Sequence, residues 1–172
     1  MKHLLSVPDY EDEKTLELFR KFADVKRQGY LTKPQLIEIL KWKSPRPLRF
    51  YQVNTETEVK KITTLAFATR NDSLRVHILT ALKGVNIPAA SAILMFYDRK
   101  IFPVIDIRVW QQLHKAKLVK TNQMGKSFKL AEWEIYLNVI RNIGAKNNLT
   151  ARQVEKRIFD IDRKTRKGNL YL

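Results

Sequence analysis

The apolar residues of this chain recur every three or four positions along most of its length, which is the spacing of one face of an α-helix. Three segments open with a threonine followed three residues later by Gln or Glu, a pattern typical of a capping box at the start of a helix. These pairs are Thr32 with Gln35, Thr55 with Glu58, and Thr150 with Gln153. Apolar residues at helical spacing follow each pair. We therefore predict an all-α fold, a bundle of about eight helices.

Further apolar stripes predict most of the remaining helices. The first should begin after Glu11 and end near Gly29, with a core face of Leu16, Phe19, Phe22 and Ala23. Later stripes are Leu74, Ile78 and Leu82, then Trp133, Tyr136, Leu137 and Ile140. Pro45 and Pro47 predict an extended connection over residues 44–50, because proline disfavours helical conformation in the residue before it. We interpret residues 1–172 as a single all-α domain, with this connection as a candidate boundary between two lobes.

Charge is the strongest property of the whole sequence. The chain has 33 Lys and Arg residues against 17 Asp and Glu, a formal net charge of +16. An excess of this size attracts phosphates and makes binding depend on salt, so we expect a polyanionic partner. Basic residues are dense between Arg141 and Lys167, and this segment is a candidate to follow a nucleic-acid backbone.

Several classes of site and partner are not expected. The absence of cysteine excludes disulfides and thiolate metal sites and is compatible with a reducing cytoplasm. The three histidines lie far apart in the sequence, so we predict no metal site. No apolar run reaches the roughly 18 residues of a membrane helix. No phosphate-binding or dinucleotide-binding glycine motif is present, so we expect neither a membrane partner nor a nucleotide cofactor.

Residues 74–98 carry the most informative pattern, a helix, a tight turn and a second helix. Gly84 suits a left-handed backbone conformation because it has no Cβ, and Asn86 is among the residues that tolerate one. Pro88 fits the first turn of the second helix, where its missing N–H costs nothing. The small residues at positions 89–92 let two helices approach closely.

This turn resembles a helix-hairpin-helix motif, whose hairpin commonly reads Leu-x-Gly-Val-Gly. Leu82, Gly84 and Val85 match, while Asn86 replaces the second glycine. Downstream, residues 102–110 read FPVIDIRVW, which is similar to the Pro-Val-Asp-type segment of the helix-hairpin-helix DNA-glycosylase superfamily, the endonuclease III and 8-oxoguanine glycosylase type. The resemblance implies a glycosylase-like all-α fold. It also implies a role in DNA repair, the excision of a damaged or mismatched base.

The resemblance also implies a partner and a set of site residues. The partner is double-stranded DNA, bound largely without sequence preference, in the cytoplasm and associated with the nucleoid. Asp106 would lie at the sugar of a flipped-out nucleotide as the catalytic carboxylate. From the residues alone, Asp106 is equally a helix N-cap. Family relatives can hold a monovalent cation at the hairpin, and no other cofactor is implied. The implied DNA-binding residues are Lys83, Gly84, Val85, Asn86, Ile87, Ala89 and Arg108.

One departure from the family concerns the reaction itself. Bifunctional members carry a lysine a few residues past the hairpin glycine, which attacks the sugar and forms a Schiff base. Here residues 86–89 read NIPA, so we expect a monofunctional N-glycosylase that borohydride does not trap on abasic DNA. Two alternatives stay open. One is a non-catalytic DNA-binding protein with the same fold, and the more distant one is an RNA- or ribosome-associated basic protein.

Three aromatic residues near the proline segment could either contact a nucleic acid or belong to the core. Trp42 stands beside the cations Lys43 and Arg46, a combination that could stack on a base or hold a phosphate, and Phe50 and Tyr51 are similar candidates. Their place at the ends of helical stripes favours the core instead, and we predict that all three are buried.

Overall fold

The computed structural model describes residues 2–168 and residue 170, and within them it is helical, with no β-strand. A short 3-10 helix, Lys2–Leu5, precedes ten α-helices, eight of which have eight or more residues. The all-α prediction is confirmed. The helices are α1 (Glu13–Lys21), α2 (Val25–Gln28), α3 (Lys33–Lys43), α4 (Leu48–Gln52), α5 (Glu56–Ala68), α6 (Asp72–Leu79), α7 (Ile87–Tyr97), α8 (Ile107–Lys115), α9 (Leu130–Asn147) and α10 (Ala151–Thr165).

The three predicted capping boxes are all present, at the starts of α3, α5 and α10. In each one the threonine side chain accepts the backbone N–H three residues on, and that residue's side chain accepts the N–H of the threonine. Each box therefore satisfies two backbone donors that a helix start leaves without partners.

The first predicted helix begins where expected, but its extent is wrong, and its predicted buried face is right at Phe22 and in part at Phe19 only. It is two helices, because α1 ends at Lys21 and α2 ends where Gly29 adopts φ +76°. Leu16 and Ala23 are exposed. Thr15, which the apolar pattern did not include, is buried; its hydroxyl accepts a hydrogen bond from Trp42 Nε1 and donates one to Asp12. The buried face of this region is Thr15, Leu18, Phe22 and Val25.

Two further predictions need correction. α6 ends at Leu79, short of Leu82, and Leu74 is 44% exposed because Val76 and Leu79 face the core instead. Residues 44–50 are not extended throughout, since a turn at residues 45–47 leads directly into α4. Phe50 is consequently 47% exposed and lies outside the core, whereas Tyr51 is buried as predicted.

α7 is the central helix of the structure. Nine of its eleven residues are buried, including the small residues 89–92, and it packs against α2, α3 and α6. α10 packs against α8, α9 and the 3-10 helix at the start of the chain, so the two ends of the described chain lie together. None of the described helices is both long enough and apolar enough to span a membrane.

Candidate functional site

The turn between α6 and α7 is held by α4 and by one buried amide. Gly84 has φ +81°, and a Cβ at this position would lie 2.9 Å from Phe50 Cβ and from Tyr51 Cδ1. Asn54 is 2% exposed; its Oδ1 accepts the N–H of Lys83 at 2.8 Å, and its Nδ2 donates to the Lys83 carbonyl at 3.1 Å. Glycine is thus required here both for its backbone conformation and for the close approach of α4.

Asn86 does not adopt the left-handed conformation that the sequence suggested. Its φ and ψ are −98° and 178°, which is extended backbone, and its side chain accepts the N–H of Ala89 at 3.0 Å. Asparagine is a strong N-cap, and this bond satisfies a backbone donor at the start of α7. Pro88 lies in the first turn of α7, as predicted.

The predicted DNA-binding residues of the hairpin divide into an exposed and a buried group. Lys83, Gly84 and Asn86 are exposed, whereas the side chains of Val85, Ile87 and Ala89 are buried. Within residues 2–168, the backbone N–H groups of Gly84, Asn86 and Ile87 have no acceptor. The start of α7 therefore presents free donors beside an exposed lysine.

The segment that ends at Asp106 is fixed from three helices. Ser91 of α7 accepts the N–H of Ile105 at 3.0 Å, and Tyr136 of α9 donates its hydroxyl to the Val104 carbonyl at 2.8 Å. Glu155 of α10 accepts the N–H of Val104 at 3.4 Å. These bonds satisfy polar backbone groups that are buried in the core.

Asp106 caps α8 and also forms an ion pair. Its Oδ1 accepts the N–H of Arg108 at 2.9 Å, so the N-cap reading is confirmed. Its Oδ2 lies 2.8 Å from Lys43 Nζ, and the two side chains are 19% and 17% exposed. Burial acts to raise the pKa of Asp106, but the Lys43 ammonium and the Arg108 N–H outweigh it and hold this pKa below its usual value. Asp106 is therefore a carboxylate at neutral pH.

A cavity of about 520 Å³ opens beside this ion pair. The residues before α1 and one face of α10 form two of its sides, so both ends of the described chain contribute to its wall. Its volume is in the range of small-molecule sites. The lining combines three aromatic rings with both signs of charge: Tyr10, Trp42 and Phe159, with Glu11, Asp12, Asp106 and Glu155, and with Lys43, Arg152, Lys156 and Arg163.

A buried charge cluster forms one wall of the cavity. Arg152 donates to Glu11 through two nitrogens, at 2.7 Å and 2.9 Å, and also to Glu155. Glu155 is 2% exposed, and burial raises its pKa above the usual value despite the Arg152 guanidinium. Burial acts to lower the pKa of Arg152. The carboxylates of Glu155 and Glu11 outweigh this effect, so the pKa of Arg152 is raised above its usual value. Arg152 thus ties the start of the chain to α10.

The remaining predicted basic residues are mostly engaged within the protein. Arg108 NH1 lies 3.0 Å from the buried carboxylate of Asp162, so its guanidinium faces the interior. In the basic segment at the end of the chain, Arg141, Arg152, Lys156, Arg157 and Arg166 are all in ion pairs. Four cations of that segment are exposed and have no ion-pair partner among the residues that the structure describes. They are Lys146, Arg163, Lys164 and Lys167.

The sequence singled out Trp42 and Lys43 as candidates for contact with a base or a phosphate, but it did not predict that they lie beside Asp106. Lys43 is 63 positions from Asp106, and Glu11 is 141 positions from Arg152. Asn54, which holds the hairpin turn, is likewise distant from it in sequence. No local motif indicates these long-range contacts. Among the residues that the structure describes, no group of three or more His, Asp or Glu side chains is arranged to hold a metal ion.

No protein-family model matches this chain, and neither a curated protein nor a solved structure does. Its function is therefore inferred from the chemistry of the cavity and of the hairpin.

Proposed function

We propose that this protein binds duplex DNA, largely without sequence preference, and excises a base from it as an N-glycosylase of the helix-hairpin-helix type. The observation that carries the proposal is the position of Asp106. It is an ionised carboxylate at the edge of a cavity of about 520 Å³, and its segment is bonded through Ser91 to the helix that begins at the hairpin.

The hairpin supports DNA binding through its free donors. The N–H groups of Gly84, Asn86 and Ile87 have no acceptor within the described chain, and they stand at the positive end of α7, where a phosphate is favoured. Lys83 adds an exposed cation. Contacts of this kind hold the phosphate backbone of the DNA and carry no information about the base sequence. This role implies a cytoplasmic, nucleoid-associated protein.

A single segment connects the hairpin to the cavity. Lys43 lies in the cavity, and α4 follows within a few residues and packs on Gly84. Arg46 and Arg49 are exposed along this segment, and the Arg49 guanidinium lies 4.7 Å from the centre of the Phe50 ring. Cations beside an exposed ring suit a path for a DNA strand between the two sites.

The cavity supports base excision by its charge and its aromatic walls. A base must leave the stack before its glycosidic bond can be reached, and the rings of Tyr10, Trp42 and Phe159 offer surfaces against which it can stack. The bond to C1′ breaks with its electrons going to the base, which leaves an oxocarbenium-like cation. The Asp106 carboxylate stabilises that cation until water adds to C1′.

The test is base release from a panel of duplexes, each with one damaged or mismatched base, followed by alkali to reveal abasic sites. Asp106→Asn is the informative variant because Asn preserves the N-cap but removes the charge. We expect release by the wild type and a loss of about 100-fold or more in Asp106→Asn. The control is Asp24→Asn, whose side chain is 74% exposed and which should release base normally.

Other outcomes select the alternatives. Duplex binding without release from any substrate would make this a non-catalytic DNA-binding protein in which Asp106 is a helix cap alone. Tighter binding of structured or single-stranded RNA than of duplex DNA at matched salt would favour an RNA-associated role.

A further inference from the structure

We propose that Tyr10 and Lys164 belong to a second nucleotide subsite, outside the cavity beside Asp106, which holds an unpaired nucleotide next to the extruded one. The inference rests on the proposed function, because it takes DNA as the partner. It deepens that function by naming the substrate class, a base whose neighbour in the same strand is also unpaired.

A second cavity, of about 430 Å³, adjoins the one beside Asp106. Tyr10 and Arg163 line both cavities, so they stand at the boundary between them. The rest of the second lining is Val7, Pro8, Asp160 and Lys164. At about 1.5 Å per residue, Lys164 lies about 12 Å farther along α10 than Lys156, which lines the first cavity. The two cavities thus follow one another along α10.

Tyr10 is an exposed ring on a firmly held stretch of chain. It is 79% exposed, and its side chain makes no hydrogen bond or ring contact within the part of the chain that the structure describes. Both neighbouring residues are bonded to α10. Asp9 accepts from Arg157 Nε at 2.8 Å, and Glu11 accepts from Arg152 Nε at 2.7 Å. The ring is therefore held in position without being covered, as a surface for stacking requires.

Two cations share the second cavity with this ring. Arg163 and Lys164 are exposed near the end of α10, and neither has an ion-pair partner among the described residues. The one carboxylate of that lining, Asp160, is paired with Lys156. An exposed ring beside such cations is the arrangement of single-strand binding sites, in which the ring stacks on a base and the cations hold the phosphates.

The position of Tyr10 at the boundary decides which nucleotide it contacts. In an intact duplex the faces of a base are covered by its stacked neighbours, so a protein ring can stack on a base only where the duplex is open. Extrusion of one nucleotide into the cavity beside Asp106 opens the duplex at that point. The next nucleotide in the same strand is the one that the chain of the DNA brings to Tyr10.

The test is the affinity of the full chain for a series of duplexes with the same flanking sequence. One duplex is fully paired, one has a single mismatched thymine, and two have a second mismatched thymine on the 5′ side or on the 3′ side of the first. Fluorescence anisotropy at fixed salt gives the dissociation constants. We expect the second unpaired thymine, on one of the two sides, to raise the affinity by about fivefold or more, the effect of one stacked base.

Two variants of Tyr10 test whether the ring causes this second increase. Tyr10→Ala removes the ring and should lose the increase, whereas Tyr10→Phe keeps the ring and should retain it. The second mismatch weakens the duplex equally for every variant, so easier opening of the DNA cannot produce a difference between them. Thermal unfolding should be the same for all three proteins because the ring is exposed.

A lysine pair tests whether the second cavity is the place of binding. Lys164→Ala changes a cation that lines the second cavity and not the first, so it should reduce the second increase. Lys61→Ala removes the same charge from an exposed lysine of α5 and should leave the increase as it is in the wild type.

Two results would overturn the inference: no second increase in the wild type, or an increase of the same size in Tyr10→Ala. The two proposals fail separately. Base release with a second increase that does not depend on Tyr10 would leave the glycosylase proposal standing and remove the subsite. A second increase that depends on Tyr10, with no base released from any duplex, would support the subsite and remove base excision.

Discussion

The hydroxyl of Ser91 accepts the backbone N–H of Ile105 at 3.0 Å, in a region where both residues are buried. The same hydroxyl donates to the Pro88 carbonyl at 2.8 Å. Ser91 thus links the first turn of α7, which begins at the hairpin, to the segment that ends at Asp106.

Ser91→Ala should lower the free energy of unfolding by about 1–3 kcal/mol, because it leaves the Ile105 N–H buried without an acceptor. Urea unfolding followed by circular dichroism measures this difference. Ser6→Ala is the control, since the Ser6 hydroxyl bond to His3 is exposed and its loss should cost less than about 0.5 kcal/mol. Equal effects of the two substitutions would contradict a structural role for the Ser91 bond.

Gly84→Ala should be markedly more destabilising than Gly29→Ala. Both glycines have positive φ, +81° and +76°, so each substitution should cost about 1–2 kcal/mol for the left-handed backbone. At Gly29 nothing lies within 4 Å of an added Cβ, whereas at Gly84 the contacts with Phe50 and Tyr51 are at 2.9 Å. Thermal or urea unfolding of the two variants compares strain alone with strain plus a clash. Similar losses would show that α4 moves away freely.

Helix starts could be predicted from the sequence because their signals are local. A capping threonine and its partner three residues later form both hydrogen bonds within one turn, so Thr32, Thr55 and Thr150 marked helix starts correctly. The sequence predicted less well which face of each helix is buried. Leu16 and Leu74 fit apolar stripes, yet both are exposed, because a hydrogen-bonded Thr15 in one helix and Val76 in the other occupy the core.

The candidate site could be predicted only in part. Asp106 lies in the segment that resembles the Pro-Val-Asp-type sequence of the glycosylases. Its role as a helix cap could be predicted because the signal is local. Its partner Lys43 could not be predicted, because 63 residues separate them and the pair forms only when α3 packs on α7. The cavity wall made by Glu11 and Arg152 depends in the same way on the two chain ends meeting.

Asp162→Asn should destabilise the protein at neutral pH and much less in acid. Asp162 is fully buried and accepts hydrogen bonds from Arg108, Gln112 and Arg166. Burial acts to raise its pKa, but the bonds from Arg166, Gln112 and Arg108 outweigh it, so its pKa is lowered on folding. Replacing the carboxylate leaves the partly buried guanidinium groups of Arg108 and Arg166 without this partner, at a cost of up to about 3–5 kcal/mol.

The pH dependence of this loss follows from the direction of the shift. A lowered pKa in the folded state stabilises the protein fully above the unfolded value of about 3.9, and this stabilisation disappears as the pH falls through the folded value. Urea unfolding from pH 7 down to pH 3 should show the difference between wild type and Asp162→Asn shrinking below about pH 4. Asp24→Asn, on an exposed carboxylate, should change the curve little. A difference that is constant with pH would argue against an ionised Asp162.

Lys83→Ala should weaken duplex binding to a similar extent for all sequences and reduce the slope of log affinity against log salt by about 1. The reason is that an exposed lysine beside free hairpin N–H groups is suited to one phosphate, and losing that contact means that fewer counterions are released on binding. Fluorescence anisotropy with duplexes of unrelated sequence, over a range of salt concentrations, measures both effects. Lys14→Ala, on an exposed lysine of α1, removes the same charge and controls for the net-charge effect. An equal change in slope for both variants would show that the net charge of the protein, and not a hairpin contact, determines the affinity.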